Sequence, residues 1–209
     1  MQKDIETRIF SPQVQNLRVE FAEDGRSKVT GLAVPYNQTS EDLGGFREMF
    51  NSGAFSETLT QNVDVAADVE HDSSKKLGRR KNGTLDLRDS TDGLYVSITL
   101  PKTSVGNDIA EEVRSGLLDG MSIAFTNPTS QWIGKGIDTL RKITKADLRA
   151  VTLTSSPAYR QTIGTVTLRS LEEHIKQQQA DEEAAKPKLD DTPIAALRER
   201  IDLSEPLIG

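Results

Sequence analysis

Two residues of this sequence could carry out nucleophilic chemistry. Ser122 lies in the stretch "DGMSIAF", which runs from Asp119 to Phe125, and His71 lies at the end of the alternating run "VDVAADVEHD". A hydroxyl becomes a nucleophile when a neighbouring base removes its proton, and histidine, with an unperturbed pKa of ~6.5, suits that task near neutral pH. A serine and a histidine are therefore the minimum parts of an acyl-transfer site.

The same residues also admit structural roles. A lone serine in a strand is most often a packing residue whose hydroxyl bonds to the backbone, and a lone histidine is more often structural than catalytic. Ser122 and His71 are far apart in the sequence, so spacing alone does not establish that they meet. The second histidine, His174, lies between Glu173 and Ile175 in a polar segment and is assigned no role.

The composition is that of a globular protein and excludes several classes of function. Of 209 residues, 26 are Lys or Arg and 32 are Asp or Glu, so the net charge of -6 does not favour nucleic acid as a partner. The absence of cysteine excludes disulfides, thiolate metal sites and a cysteine nucleophile. Without a long apolar run or a signal-peptide pattern, the sequence predicts neither membrane insertion nor export, and nothing in it predicts a metal or a cofactor.

Alternation of apolar and polar residues predicts strands over most of the chain. The clearest runs are Asn16–Ala22, Ser27–Tyr36, Thr84–Ser90 and Leu94–Leu100. Asn-Gly and Asp-Gly pairs between or beside them predict hairpins, and two later runs could add strands or a hairpin, Ser130–Thr144 and Lys145–Tyr159. We expect a mainly β fold with flanking helices (α+β), in which about six to eight strands form a closed or nearly closed antiparallel barrel. So many short strands need their edges covered.

Helical periodicity interrupts the strands in two places. It is weak in "SGAFSETLTQN" and clear in "SVGNDIAEEVRSGLLDG", where Ile109, Val113 and Leu117 recur at intervals of four residues. Gly120 follows the second helix as a stop signal, and it would place Ser122 directly after a tight glycine turn.

The C-terminal part of the chain differs in character from the rest. From Ser170 to Gly209 there are ten acidic and five basic residues, so most of the net charge lies there. We therefore predict an N-terminal segment over residues 1–15, a folded domain over 16–168, and a flexible acidic tail over 169–209. The tail contains a short amphipathic helix near 193–203, with Ile194, Leu197 and Ile201 on one face.

Four stretches, in a fixed order, carry a resemblance to a known family. They are "GLAVPYNQTSEDLGGFREMFNSGAFSETL", "VEHDSSKKLGRRKNGTLDLRDSTDGLYVSITLP", "GLLDGMSIAF" and "LRAVTLTSSPAY". Together they resemble the prohead maturation proteases of tailed bacteriophages, over about Asn16 to Leu168, and the ordered series is more specific than any single motif. The resemblance implies a serine endopeptidase whose fold is related to that of the herpesvirus assembly proteases.

The resemblance also implies roles for individual residues. The histidine of the "EHD" motif is the general base of the family and corresponds to His71, and the serine of the "GMS" motif is the nucleophile and corresponds to Ser122. The implied substrates are the major capsid protein or a scaffold domain, and the protease itself by self-cleavage. Such an enzyme works inside the immature capsid, the prohead, in the host cytoplasm, and the resemblance implies no direct binding to nucleic acid or to a membrane.

One position departs from the family pattern. Family members typically read Leu-x-Glu-Val-Ser, in which the glutamate orients the histidine, whereas this chain reads "LRAVTL" and has Ala150 at that position. A methyl group cannot hold the imidazole tautomer or stabilise the imidazolium. Either another carboxylate substitutes, with Asp72 and Asp147 as the candidates, or the chain is a weakened enzyme. Because Glu to Ala is a change that would protect a self-digesting protease, the sequence favours an inactivated form, whose activity Ala150→Glu would raise by orders of magnitude.

The sequence is also compatible with two other functions, and it leaves the group that stabilises the oxyanion undetermined. A non-enzymatic capsid assembly or scaffolding protein would use the barrel as a binding module, but it has no need for His71 and Ser122 together. A hydrolase of small esters fits the same two residues but lacks the Gly-x-Ser-x-Gly turn. Candidates for stabilising the oxyanion are backbone N–H groups near "TSSPA" or before Ser122 and the side chains of Arg149 and Arg160, and the sequence does not choose among them.

Overall fold

A computed structural model describes four segments of the chain, residues 4–10, 15–23, 25–155 and 165–185. Contacts divide the chain into a unit from Met1 to His174 and a second unit from Ile175 to Gly209. The described strands are β1 (Glu6–Ile9), β2 (Arg18–Phe21), β3 (Ser27–Pro35), β4 (Arg47–Phe50), β5 (Ala66–Val69), β6 (Asp72–Arg79), β7 (Leu85–Asp89), β8 (Gly93–Thr99), β9 (Gly120–Ile133) and β10 (Leu140–Thr154). The described helices are α1 (Ser56–Thr60), α2 (Ser104–Ser115) and α3 (Thr165–Ala185), and a 3₁₀ turn spans Gly136–Asp138.

The strands form two sheets. The four-stranded sheet has the order β2-β3-β8-β7 and is antiparallel throughout. The six-stranded sheet has the order β1-β9-β10-β5-β6, with β4 also paired to β10. Strand β9 pairs with one side of β10. On the other side, β4 pairs with the first part of β10 and β5 with its last part, and both run parallel to β10. The sheet is therefore mixed, and β9 and β10 form its centre.

The prediction of a closed or nearly closed antiparallel barrel is not supported by the sheets. Within the described residues both sheets are open, ten strands are present rather than six to eight, and two of the pairings are parallel. The expectation rested on the need to cover strand edges, and the protein meets that need in another way. Edge strands β1 and β2 have four residues each, and β6 carries Lys75 and Lys76 in exposed positions. Short and charged edges discourage pairing with another chain without closure of the sheet.

The other strand predictions are confirmed. The four alternating runs correspond to β2, β3, β7 and β8, and the two later runs contribute the hairpin of β9 and β10. Gly25 and Gly83, at φ of +75° and +74°, occupy turns next to these strands. Period-2 alternation located β3, β7 and β8 because alternate residues of these strands are buried in the core. Strand β2 has no buried residue and packs on the core through the half-buried Val19.

The two sheets enclose one hydrophobic core. Met121, Ile123 and Phe125 of β9 are fully buried in it, together with Val151 and Leu153 of β10. The second sheet contributes Val29, Leu94, Val96 and Ile98. Because side chains alternate along a strand, Ser122 and Ala124 point to the opposite face of β9. The serine therefore lies on the face of the six-stranded sheet that turns away from this core.

Helix α2 confirms the clearer of the two helix predictions. The side chain of Thr103 caps its first turn by accepting a hydrogen bond from the backbone N–H of Gly106, and the helix ends at Gly116, whose φ of +77° suits glycine. Ile109 and Val113 are buried as the periodicity predicted. The weaker periodicity also corresponds to a helix, the five residues of α1.

Two details of the α2 prediction are wrong. Leu117 lies beyond the end of the helix and is 66% exposed, so it is not part of the buried stripe. Gly120 is the first residue of β9 rather than the stop signal, which is Gly116. Ser122 therefore lies within a strand and does not follow a tight glycine turn.

A network of four charged side chains is buried at one end of the core. Glu6, Arg8, Glu48 and Arg141 are each at most 2% exposed. Arg8 donates to Glu48 through Nε at 2.6 Å and to Glu6 through Nη2 at 2.6 Å, and Arg141 Nη1 donates to both carboxylates at 2.8 and 3.0 Å. Burial opposes ionisation of Glu6, but hydrogen bonds and charges of the two arginines outweigh it and hold the pKa of Glu6 below its ordinary value. Two positive and two negative charges thus join β1, β4 and β10.

Helix α3 spans Thr165–Ala185 and runs through the predicted domain boundary at residue 168. In the first unit, its His174 ring stacks on Trp132 with the ring centroids 6.0 Å apart, a packing contact. In the second unit, Gln177 donates to Asp181 one helical turn later. The predicted amphipathic helix near 193–203 lies outside the described residues. None of the described helices is long and apolar enough to cross a bilayer.

Candidate active site

Three polar residues lie side by side on neighbouring strands of the six-stranded sheet. Ser122 of β9 is paired with Thr152 of β10, and Thr152 is paired with Asp68 of β5. Directly paired residues project from the same face of a sheet, with Cβ atoms about 5 Å apart in antiparallel pairs. The register of the strands therefore places a hydroxyl, a second hydroxyl and a carboxyl in one row.

The Ser122 hydroxyl is buried without a hydrogen bond. Its side chain is 0% exposed, and it is the one buried polar side-chain group of the described structure that lacks a partner. Leaving such a group unpaired costs about 1–3 kcal/mol, so native structures keep few of them, and each calls for an explanation. The structural role considered for this serine, a hydroxyl bonded to the backbone, is therefore not the one it has here.

His71 lies in a two-residue turn that joins β5 to β6. Val69 and Asp72 are paired, and the two residues between them, Glu70 and His71, have φ of +51° and +57°. This is the backbone of a type I′ hairpin turn, which usually contains Asn or Gly. A non-glycine residue in this region costs on the order of 1–3 kcal/mol, and such residues cluster at functional sites. The strained turn folds the imidazole back toward β10.

Glu70 fastens this turn to the end of β10. Its carboxylate accepts hydrogen bonds from the backbone N–H and the hydroxyl of Ser155, at 2.7 and 2.6 Å, and from the Thr154 hydroxyl at 3.2 Å. Partial burial opposes ionisation of Glu70, but these hydrogen bonds outweigh it, with a smaller contribution from the charge of His71, and hold the pKa below its ordinary value. Glu70 therefore stabilises the strained backbone that carries His71.

Replacing Glu70 with glutamine is expected to weaken the fold at neutral pH but not in acid. Because the pKa of Glu70 is lower in the folded than in the unfolded protein, the carboxylate stabilises the folded state above the unfolded-state pKa, about 4.3. That contribution is lost as the pH falls through the folded-state pKa. Urea unfolding of both proteins between pH 7 and pH 3 measures the difference, and a difference that does not shrink with falling pH contradicts the prediction.

The imidazole of His71 reaches the middle of the polar row. Its Nδ1 lies 3.4 Å from Thr152 Oγ1, and the Thr152 hydroxyl donates to Asp68 Oδ1 at 2.5 Å. Ser122 and His71 thus both adjoin Thr152, one as its strand neighbour and the other through its ring nitrogen. The structure brings the two residues that the sequence singled out to the same residue of β10.

In the described structure, neither the predicted third position nor its proposed substitutes form a hydrogen bond with His71. Ala150 is paired with Ala66 and Ala124 and shares a face of β10 with Thr152, two residues away. Asp72 is partly exposed and accepts from the backbone N–H and hydroxyl of Ser74. Asp147 accepts from Asn127 and Arg149 at the other side of Ala150. The carboxyl group that the described structure does connect to His71, that of Asp68, was missed by the sequence analysis.

A signal for Asp68 was present in the sequence. In "VDVAADVEHD" the valines and Ala67 alternate toward the core, so Asp64, Asp68 and Glu70 occupy the other face of the strand. A carboxyl group inside a strand, three residues before the candidate base, is an unusual position. Its importance depended on Thr152, which is 84 residues away along the chain.

Of the candidate oxyanion groups, two are already engaged in hydrogen bonds. The backbone N–H of Met121, just before Ser122, donates to Gln15 Oε1 at 2.6 Å, and Gln15 Nε2 donates back to the Met121 carbonyl at 2.7 Å. Arg149 donates to Thr126 and Asp147. Arg160 and most of "TSSPA" lie outside the described residues. The buried amide of Gln15 therefore pairs with β9 in the way a neighbouring strand would.

A cavity of about 480 Å³ lies beside the turn that carries His71. Glu70 and Ser155 form one wall, and α2 with the residues after it forms the other. The lining has an apolar part, Val69, Val105, Ile109, Leu117 and Leu118, and a charged part, Glu70, Asp108, Glu112 and Lys75. Three carboxyl groups and one ammonium group therefore surround an apolar surface.

Comparison with known proteins identifies a family and a related fold. A family model described as caudovirus prohead serine protease matches residues 15–177. Among solved structures, the fold is similar to that of the capsid assembly protease gp21 of bacteriophage T4, with a TM-score of 0.54 and 9% sequence identity. The similarity covers 75% of this chain and 100% of the phage T4 chain. No curated protein sequence matches the chain.

Proposed function

Because the chain belongs to the caudovirus prohead serine protease family, we propose that it is a capsid maturation endopeptidase with Ser122 as nucleophile and His71 as base. Its substrates are the major capsid protein or a scaffold domain, and its own chain by self-cleavage, inside the immature capsid. The observation that carries this proposal is the buried Ser122 hydroxyl, which has no partner in the described structure and lies beside the residue that contacts His71. A purely structural serine would have its hydroxyl paired.

The geometry supports a role for His71 in proton transfer and for Ser122 in nucleophilic attack. With Nδ1 of His71 facing Thr152, Nε2 is the nitrogen available to accept the Ser122 proton. Ser122 Oγ then attacks the carbonyl carbon of the substrate, and the imidazolium returns the proton to the leaving amine as the peptide bond breaks. Water, activated by the same nitrogen, releases the acyl group from Ser122 and restores both side chains.

Access to the nucleophile requires a local movement. Ser122 is fully buried, so a peptide reaches Oγ only after the residues that cover it move aside. Opening would also allow Ser122 and His71 to approach each other, since the described structure gives them no mutual hydrogen bond. A closed nucleophile restrains self-digestion until a substrate chain is present.

Covalent labelling tests the proposed nucleophile directly. A fluorophosphonate probe should modify the full-length chain at Ser122, identified by peptide mass spectrometry, and His71→Ala should remove the labelling. A slow reaction with the probe that accelerates in the presence of a capsid-protein peptide would support the proposed opening. A folded protein that does not react under either condition would favour the non-enzymatic scaffolding function.

The cavity beside the turn fits the side chain of a substrate peptide. Its apolar part accepts an apolar residue, and the excess of carboxyl groups favours a basic residue next to it. The substrate class proposed for this cavity is therefore an extended peptide with an apolar and a neighbouring basic side chain.

Charge reversal at Glu112 should weaken such a substrate. Glu112→Lys is expected to raise KM for an apolar-basic peptide about fivefold and to leave kcat unchanged, because the lost attraction acts on the bound substrate and not on the reaction itself. Glu111→Lys is the matched control, since Glu111 is the next residue of α2, is exposed, and pairs with Arg114 outside the cavity. Equal effects of the two variants on KM would rule out a specific role of the cavity.

A further inference from the structure

The chain lacks a carboxyl group at position 150, but His71 is not without support. The Thr152 hydroxyl lies between its ring and a buried carboxyl group, 3.4 Å from His71 Nδ1 and 2.5 Å from Asp68 Oδ1. Thr152 is 2% exposed and Asp68 is 8% exposed. These contacts form a short chain of hydrogen-bonding groups that ends at the candidate base.

We propose that Asp68, acting through the Thr152 hydroxyl, orients His71 and takes the place of the carboxyl group that is missing at Ala150. The inference rests on the proposed function, in which His71 is the base of Ser122. Asp68 is a positioning residue, because it accepts a hydrogen bond from Thr152 and acts on the imidazole only through that hydroxyl.

The direction of each hydrogen bond between Asp68, Thr152 and His71 follows from the number of protons available. A threonine hydroxyl has one proton, and the contact at 2.5 Å with a carboxylate oxygen takes it. The lone pairs of Thr152 Oγ1 then face His71 Nδ1, so this contact is favourable when Nδ1 carries a proton and donates. A neutral imidazole protonated at Nδ1 has its lone pair on Nε2. Asp68 thus selects the tautomer that a general base requires.

The fold holds these three hydrogen-bonding residues in place. Asp68 and Thr152 are paired residues on the parallel strands β5 and β10, so the ladder between these strands fixes their separation. Their burial excludes competing water, which strengthens hydrogen bonds between polar groups. His71 is held at the other end by the turn that Glu70 fastens to Ser155. The imidazole is therefore positioned from two sides.

The tautomer of His71 can be observed without turnover. In full-length Ser122→Ala protein, ¹⁵N chemical shifts above the pKa of the imidazole should report a proton on Nδ1, and His174→Gln in the same background assigns the signal, since the chain has two histidines. Asp68→Leu frees the Thr152 hydroxyl to donate to Nδ1, which moves the imidazole proton to Nε2. Asp72→Asn is the matched control, because Asp72 adjoins His71 in sequence but bonds to Ser74, and it should leave the tautomer unchanged.

Kinetics on the protein with Ser122 intact give an independent readout. Asp68→Leu and Thr152→Val should each lower kcat by on the order of 10²-fold with KM unchanged, the size seen when a supporting hydrogen-bond partner is lost. Thr152→Ser retains the hydroxyl and should restore kcat to within a few-fold of the wild type. The other ionisable groups of this hairpin, Glu70, Asp72 and Lys75, are unchanged in these variants.

Introducing the family glutamate distinguishes this inference from an inactivated enzyme. If Asp68 already orients His71, Ala150→Glu should change the activity of the wild type by a few-fold at most, but it should raise that of Asp68→Leu. A gain of orders of magnitude in the wild-type background would show that His71 is not oriented and would overturn the inference.

The two measurements separate the inference from the proposed function. An unchanged tautomer in folded Asp68→Leu protein overturns the role of Asp68 even if Ser122 is the nucleophile. Loss of kcat in Thr152→Ser as large as that in Thr152→Val would mean that the row has a merely structural role. If Ser122 fails to react with the fluorophosphonate probe, the proposed function fails, while the tautomer result remains valid as a statement about His71.

Discussion

Replacing Ser122 with alanine should abolish proteolysis and make the protein more stable. Loss of the nucleophile in a serine protease lowers kcat by about 10⁶-fold. The same change removes a buried hydroxyl that has no partner in the described structure, so the free energy of unfolding should rise by about 1 kcal/mol. Activity on a capsid-protein peptide and urea unfolding of the purified chain measure the two effects.

The combination of the two effects makes this prediction specific. Thr126→Ala is the matched control, because Thr126 is a buried hydroxyl on the same face of β9 that accepts a hydrogen bond from Arg149 Nε at 2.8 Å. Removing it leaves Arg149 with one acceptor fewer, so this variant should be less stable and remain active. Ser122→Ala protein that still cleaves at the wild-type rate would refute the assignment of the nucleophile. Lower stability would mean that the hydroxyl is paired after all.

The largest expected effect on stability comes from the buried charge network. Arg141→Met leaves Glu6 and Glu48 with Arg8 as their remaining cation in a site that is almost closed to water. Breaking a buried ion network by removing one partner typically costs 3–5 kcal/mol, because a charge is left without compensation. The free energy of unfolding from urea titration at pH 7 should fall by about that amount.

Two further variants test whether the loss of stability depends on the burial of the charge or only on its removal. Lys145→Met removes a cation paired with Glu57 on the surface, where both side chains are more than 40% exposed, and should cost less than about 1 kcal/mol. Combining Arg141→Met with Glu48→Met removes one charge of each sign and should recover part of the loss. If Arg141→Met and Lys145→Met have equal effects, the buried network does not hold β1, β4 and β10 together.

The buried ion network and the row that contains Ser122 occupy opposite faces of the same sheet. The buried ions lie on its core face and join β1, β4 and β10, whereas Ser122, Thr152 and Asp68 lie in one row on the opposite face. A change in one set should leave the other intact, because they share no hydrogen bond in the described structure. Substitutions in the ion network are therefore expected to change stability without removing a hydrogen bond of the row that contains Ser122, Thr152 and Asp68.

Local patterns in the sequence determined most of the elements and singled out the two candidate site residues. Alternation located β3, β7 and β8 because alternate residues of these strands are buried, and the spacing of Ile109 and Val113 located α2. Ser122 and His71 could be chosen because hydroxyl and imidazole chemistry depends on residue type, and histidine is rare in this chain. The resemblance to the phage proteases rested on ordered motifs that are likewise readable along the chain.

Tertiary structure alone decided the closure of the sheets and the partners of the site residues. Alternation reports which face of a strand is buried, but not which strand lies beside it, so the open sheets and the parallel pairings of β10 could not be predicted. For the same reason Asp72 and Asp147 were chosen by their distance along the sequence. Asp68 meets Thr152 because the register of β5 and β10 places residues 84 positions apart opposite each other. Hydrogen bonds act over about 3 Å in space, and that distance is set by the pairing of strands rather than by their order in the chain.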